Sequence, residues 1–138
     1  MKKIMFVCLG NICRSPMAKY IFKSLSSDYI VDSAGTSNEE EGNSLYYLAK
    51  NILDKNNIQY DNHIAKQLTK TMYDEYDYIV VFEDYNKECV RRLIGDDSKV
   101  IKLLPNNIDD PWYTRDFDKA YEDIYQGCVL LKNKLNNE

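Results

Sequence analysis

The chain has 138 residues, 44% of them hydrophobic and 29% charged, and a formal net charge of −4. That length and apolar share fit one compact domain over residues 1–138 with a sizeable core. The mildly acidic balance, with Lys and Arg scattered, carries no nucleic-acid footprint and no polybasic membrane patch. The opening MKKIMFVCLGN sets two lysines before an apolar run, but Ile4 to Leu9 is too short for a signal h-region and no small-residue cleavage site follows. No stretch approaches transmembrane length, so a cytoplasmic chain is expected, with no membrane or nucleic-acid partner. Cys8, Cys13, Cys89 and Cys128 are the four cysteines. With no CxxC and a single histidine they form no zinc set, so they are read as reduced thiols and no metal is expected.

In chain order, Lys3 to Val7 is a continuous apolar-rich run, the pattern of a buried strand. Residues 8–15 form a loop. Ser15 and Pro16 then open a helix, the hydroxyl as cap and the proline in the first turn, and Met17, Ile21, Phe22 and Leu25 follow at helical spacing. Tyr29 to Val31 reads as a second strand ending at Asp32-Ser33-Ala34-Gly35, and the stretch TSNEEEGN as a solvated loop. Leu45, Leu48, Ala49, Ile52 and Leu53 form a helical stripe. Tyr78 to Phe82 is the strongest strand and is expected at the sheet centre. Tyr85, Cys89, Val90 and Leu93 predict a helix closed by Gly95, and Lys99 to Leu103 a further strand. Residues 104–115 read as a loop, and Phe117, Tyr121, Ile124, Cys128, Leu131 and Leu135 as a long amphipathic helix. Cys89 and Cys128 are expected in the core.

Strands alternating with helices predict an α/β domain: a four-stranded parallel twisted sheet in flavodoxin-like order, with helices on both faces and right-handed crossovers. Ligands in such folds sit beyond the carboxyl ends of the strands. The loop after the first strand lies there, and the loop carrying Asp110 follows the last.

The stretch CLGNICRSP at 8–16 is the one that carries chemistry. Five residues separate Cys8 from Arg14, enough to curl Leu9, Gly10, Asn11, Ile12 and Cys13 so that their amides face inward. Such a nest binds an anion, and the following helix N-terminus adds its dipole. Gly10 is expected to supply an unusual backbone angle, and Asn11 to turn left-handed or tie the loop. Arg14 offers a planar fork matched to two phosphate oxygens. The same positive surroundings favour Cys8 as a thiolate, and the set describes phosphoryl transfer through a phosphocysteine. It is not a Walker-type loop, since GK[ST] is missing. The departing oxygen needs a proton, and Asp110 in DDPWY can give it. Asp109 is the competing choice. Trp112 and Tyr113 can wall an aromatic substrate.

The matching stretches FVCLGNICRSPMA (6–18), VDSAGTS (31–37), HIAKQLT (63–69), YDYIVVFEDYN (76–86) and DDPWY (109–113) resemble the low-molecular-weight protein tyrosine phosphatases over nearly the whole chain. The resemblance implies the phosphatase I-like fold and hydrolysis of phosphotyrosine and small aryl phosphates, with no metal or organic cofactor. It makes Cys8 the nucleophile, Arg14 the phosphate-binding residue and Asp110 the general acid/base. Ser15 would stabilise the Cys8 thiolate, and Asn11 would be held by a network including Ser33 and His63. Cys13 would be the redox partner of Cys8, forming a reversible disulfide. A phosphotyrosine protein or small aryl phosphate is the expected partner, met by a monomer. The family often has an aromatic residue after SAGTS, where this chain has Asn38, Glu39, Glu40 and Glu41. GNSLYYLA at 42–49 lacks the proline and aspartate common there, and the tyrosine pair of the acid loop is Trp112-Tyr113.

Two other readings compete. An arsenate reductase shares the fold and loop but needs two further cysteines as a relay, and only Cys89 lies near the expected place. A phosphocysteine carrier or phosphate-binding module would need neither Arg14 nor Asp110.

Overall fold

Ile4, Met5, Phe6 and Val7 are all fully buried, so the first strand is covered on both faces. Its alternation divides the molecule: Ile4, Phe6 and Cys8 join one apolar cluster, and Met5 and Val7 the other. The computed structural model describes residues 1–138. Its elements are β1 (Lys3–Cys8), α1 (Arg14–Leu25), β2 (Ile30–Gly35), α2 (Tyr47–Lys55), α3 (Lys70–Glu75), β3 (Tyr78–Val81), α4 (Asp84–Ile94), β4 (Val100–Lys102), α5 (Pro111–Thr114) and α6 (Phe117–Asn136).

The sheet is parallel throughout, in the order β2-β1-β3-β4. This is the expected flavodoxin-like order, with the Tyr78 strand central. The larger cluster joins one sheet face to α1, α2 and α6; the smaller joins the other face to Tyr73 of α3 and Val90 of α4. The direction of crossover reverses between β1 and β3, which opens a crevice at their carboxyl ends. Cys8 ends β1, and Glu83 lies just beyond β3.

Several local expectations are corrected. α1 starts at Arg14, with Cys13 in the capping position and no side-chain cap. Ser15 is therefore inside the first turn, and its hydroxyl is free for other work. The strand at 29–31 runs on to Gly35. α3 was unmarked by any apolar stripe, because only Tyr73 is buried in it; Thr69 caps it by accepting from the Met72 amide. The 104–115 loop contains α5, capped by Asp110 with Pro111 in its first turn.

On α4, Gly95 closes the helix at φ 91° as expected. Its buried side is Asn86 and Val90, while Tyr85 and Leu93 are 52% and 40% exposed and Cys89 is half-buried. The cause is Asn86, whose side-chain oxygen accepts from the amides of Phe82 and Glu83 at 3.1 and 3.2 Å. That pair of bonds turns Asn86 inward and rotates the apolar stripe toward solvent. Cys128, by contrast, is fully buried as expected. No helix is long and apolar enough to cross a membrane.

Candidate active site

The loop after β1 is shaped from below. Asn11 adopts φ 60°, the left-handed region, and every polar group it carries is engaged. Its amide donates to Cys8 Sγ at 3.3 Å. Its Nδ2 donates to Ser15 Oγ at 2.8 Å and Ser33 Oγ at 3.0 Å. Its Oδ1 accepts from the Lys66 amide at 3.0 Å, and its carbonyl lies 2.7 Å from His63 Nε2. Asn11 thus joins the loop to β2 and to the segment 63–66.

Gly10 does not have the unusual angle expected of it; Asn11 takes that role. The indispensable glycine is Gly35, at the end of β2. A Cβ there would meet Leu9 O at 2.7 Å and Asn11 N at 3.2 Å, so only a bare backbone lets β2 pass beneath the loop.

The amides of Leu9, Gly10, Ile12 and Cys13 have no acceptor inside the protein, and the first helical bond of α1 is Met17 N to Cys13 O. With the unpaired first-turn amides of α1, these are free donors in a loop that lines one cleft, a set able to act as a nest. Cys8 is 3% exposed at its base, with Sγ 3.0 Å from Ser15 Oγ. The Ser15 hydroxyl has one hydrogen and two acceptors, this sulfur and Ala34 O at 3.3 Å. The hydroxyl can therefore donate to either acceptor.

Arg14 is 2% exposed. Its Nη1 donates to Glu83 Oε2 at 2.6 Å and Ile108 O at 2.9 Å, and its Nη2 lies 3.3 Å from Asp110 Oδ2. Burial disfavours its charge, but Cys8, Asp110 and Glu83 more than offset this and hold its pKa above the ordinary value. Cys13 is opposite in character: burial first, then negative charge at Cys8 and Asp110, pushes its thiol far up. Cys13 is thus kept protonated. Burial likewise lowers the pKa of His63 and keeps its imidazole neutral, so Nε2–H donates to the Asn11 carbonyl.

Above the nest is a cleft of about 270 Å³ lined by residues 8–14, by Ser37, Glu39 and Glu40 on one side, and by Asp110, Trp112 and Tyr113 on the other. The predicted loop, acid and aromatic residues converge there. Ser15, Ser33 and His63 are buried behind the loop, and Glu41 lies outside the cleft. Asp109 is exposed and lines a neighbouring depression, so Asp110 is the carboxyl directed at the nest. Trp112 and Tyr113 are 41% and 74% exposed, open enough to receive a ring. No group of three His, Cys, Asp or Glu side chains is disposed to hold a metal.

Sequence reasoning missed Glu83, Lys66, Tyr46 and Arg115. Glu83 had a usable signal: it immediately follows the central strand, at the end of the sheet where ligands bind. Lys66 contributes through its backbone and had none.

Such a nest at the switch point of a doubly wound domain is suited to a tetrahedral oxyanion. The comparisons agree. The family model for low molecular weight phosphotyrosine protein phosphatase matches residues 3–138. The Gallus gallus low molecular weight phosphotyrosine protein phosphatase is 37% identical, over 93% of this chain and 89% of its own. The crystal structure of a low molecular weight protein tyrosine phosphatase from Streptococcus pyogenes superposes with a TM-score of 0.94 at 37% identity, over 98% of this chain and 93% of that one. Vibrio vulnificus Wzb in complex with benzylphosphonate superposes at 0.90 with 27% identity, over 96% and 98%. The chain belongs to the low molecular weight phosphotyrosine protein phosphatase family, and is a hydrolase of that class.

Proposed function

We propose that the chain hydrolyses phosphotyrosine in proteins, and small aryl phosphates, through a phosphocysteine on Cys8. The reading rests on one observation above all: Cys8, Arg14 and Asp110 line a single cleft. The phosphate enters the nest, where the loop amides and Arg14 take its oxygens, and the ring lies along Trp112 and Tyr113. Cys8 Sγ attacks phosphorus as the P–O bond to the ring breaks. Asp110, protonated, gives its hydrogen to the departing oxygen, which is a poor leaving group unprotonated because a phenol has a pKa of about 10. Asp110, now a carboxylate, takes a proton from water as that water attacks phosphorus, the S–P bond breaks and inorganic phosphate leaves. Phosphate-monoester hydrolysis is among the slowest uncatalysed reactions, so the fixed amides and guanidinium carry the largest share of the acceleration. The benzylphosphonate complex of the Vibrio relative, whose ring is one atom removed from phosphorus as in an aryl phosphate, supports an aromatic substrate. A cytoplasmic monomer, with no nucleic acid or membrane partner, completes the reading. Cys13, buried and protonated in the same loop, is the proposed redox partner of Cys8.

Hydrolysis is favoured over arsenate reduction by the remaining cysteines. Cys89 is on α4 and Cys128 on α6, helices on opposite faces of the sheet, and Cys128 is fully buried. They are no relay pair.

The test is turnover of nitrophenyl phosphate and a phosphotyrosine peptide. Cys8→Ser is expected to abolish both. Asp110→Ala is expected to lower peptide turnover by about 10²–10⁴-fold while inorganic phosphate still inhibits. Near-normal hydrolysis by Cys8→Ser would end the proposal.

A further inference from the structure

Tyr46 stands between the two halves of the cleft. Its amide donates to Ile12 O of the nest at 3.0 Å. Its ring meets the Trp112 ring of the acid loop at 4.8 Å and the Phe117 ring at 5.9 Å. Arg115 closes the arrangement. Its Nη2 donates to Tyr46 Oη at 2.8 Å and its Nη1 to Trp112 O at 3.2 Å. The guanidinium lies 5.5, 5.9 and 6.0 Å from the ring centres of Tyr46, Trp112 and Phe117, within cation–π range.

Arg115 is also held at φ 63°, a left-handed conformation that costs a non-glycine residue free energy and persists only where surroundings fix it. Its amide donates to Pro111 O at 2.9 Å, so the strained turn closes α5 directly behind Asp110. Asp110 Oδ1 accepts from the Trp112 amide at 3.0 Å. The orientation of the carboxyl is therefore tied to Trp112, and Trp112 to Tyr46 and Arg115. On its other side the acid loop is tied by Arg14, at Ile108 O and at Asp110 itself, and by the Ile108 amide, which donates to Phe82 O at 2.8 Å.

We propose that Tyr46 and Arg115 are positioning residues for the general acid: together they fix the acid loop to the nest, so that the Asp110 carboxyl is held over the departing oxygen. The inference rests on Asp110 being that acid. Neither side chain lines the phosphate cleft, so the effect of replacing them should depend on how much the leaving oxygen needs a proton. A small displacement of a catalytic group has large consequences for rate, and a displaced Asp110 carboxyl acts on the proton-transfer step.

The experiment measures kcat/KM, which reports transfer to Cys8, for phenyl phosphate and for dinitrophenyl phosphate, whose phenoxide leaves without help. Arg115→Met and Tyr46→Phe are each expected to lower the phenyl phosphate value by roughly tenfold, a fraction of what a general acid supplies, and the dinitrophenyl value by less than about twofold. Arg115→Lys should recover part of the loss. The double variant should be little worse than either single one, since both remove the same contact. Inhibition by inorganic phosphate should not change. Equal losses on both substrates, or none on either, would overturn the proposal. Asp110→Asn distinguishes the two levels. If it shows the selective loss and Arg115→Met does not, only the positioning role fails; if it affects both substrates alike, the general-acid reading itself fails.

Discussion

Glu83 Oε2 lies 2.6 Å from Nη1 of Arg14, and the guanidinium it holds is almost completely buried. A guanidinium with no fixed partner would be costly to bury and slow to orient toward the phosphate it is proposed to bind. Glu83, two residues beyond the end of β3, supplies the counter-charge from the strand next to the one that ends in Cys8. Glu83→Ala should therefore weaken both fold and binding. The stability loss is expected near the low end of the roughly 3–5 kcal/mol for breaking a buried pair, because Ile108 O and Asp110 still hold Arg14. Urea unfolding and the inhibition constant of inorganic phosphate would measure it; an unchanged inhibition constant would show that Glu83 does not orient Arg14.

Gly35→Ala places a methyl group 2.7 Å from Leu9 O. Backbone cannot yield as a flexible side chain does, so the nest must shift. A loss of about 1–3 kcal/mol, together with weaker phosphate inhibition, is expected. Thermal unfolding and inhibition assays on the same sample decide it, and normal values in both would contradict the close approach.

His63 gives the fold a pH dependence of definite sign. Its pKa is lowered from 6.5, chiefly by burial and in part offset by its bond to Asn11 O. The folded protein thus binds fewer protons there than the unfolded chain, and stability rises with pH over that range. The contribution is complete above the ordinary histidine value and is lost as pH falls through the lower, folded one. In urea titrations from about pH 8 to pH 5, His63→Gln should remove this part of the decline. An identical decline in the variant would assign it to other groups.

Glu39 and Glu40 line the cleft mouth and neither is in an ion pair among the salt bridges of the structure. A phosphotyrosine peptide with acidic neighbours should meet repulsion there, and one with Lys or Arg neighbours attraction. Replacing both by Gln should shift the KM ratio between such peptides by about threefold per charge at low salt, and less at high salt. The same ratio in both enzymes would remove these glutamates from specificity.

The legible parts of the molecule were those fixed by local pattern. KIMFV and YIVVF announce buried strands because parallel strands covered on both faces are apolar throughout. The cysteine loop was legible because its residues are contiguous; Asp110 stood out only beside that loop, since Asp-Pro by itself marks an ordinary turn. Long-range geometry was not legible. Glu83 meets Arg14 across 69 positions of sequence, and Arg115 meets Tyr46 across 69 as well. The α4 stripe misled because two hydrogen bonds to Asn86 outweighed the burial of Tyr85 and Leu93. Gly10 and Asn11 were both credible carriers of the turn; the network around Asn11 gives it the left-handed position.

The lone hydrogen on Ser15 is a rotor with two stops. In the proposed cycle it faces sulfur while the sulfur is anionic and swings to Ala34 O once phosphorus has taken that charge. When water displaces the phosphoryl group, the rotor returns and eases the departure of the thiolate. Attack and release are thereby evened out by the movement of one proton's worth of mass, with the heavy-atom scaffold left at rest.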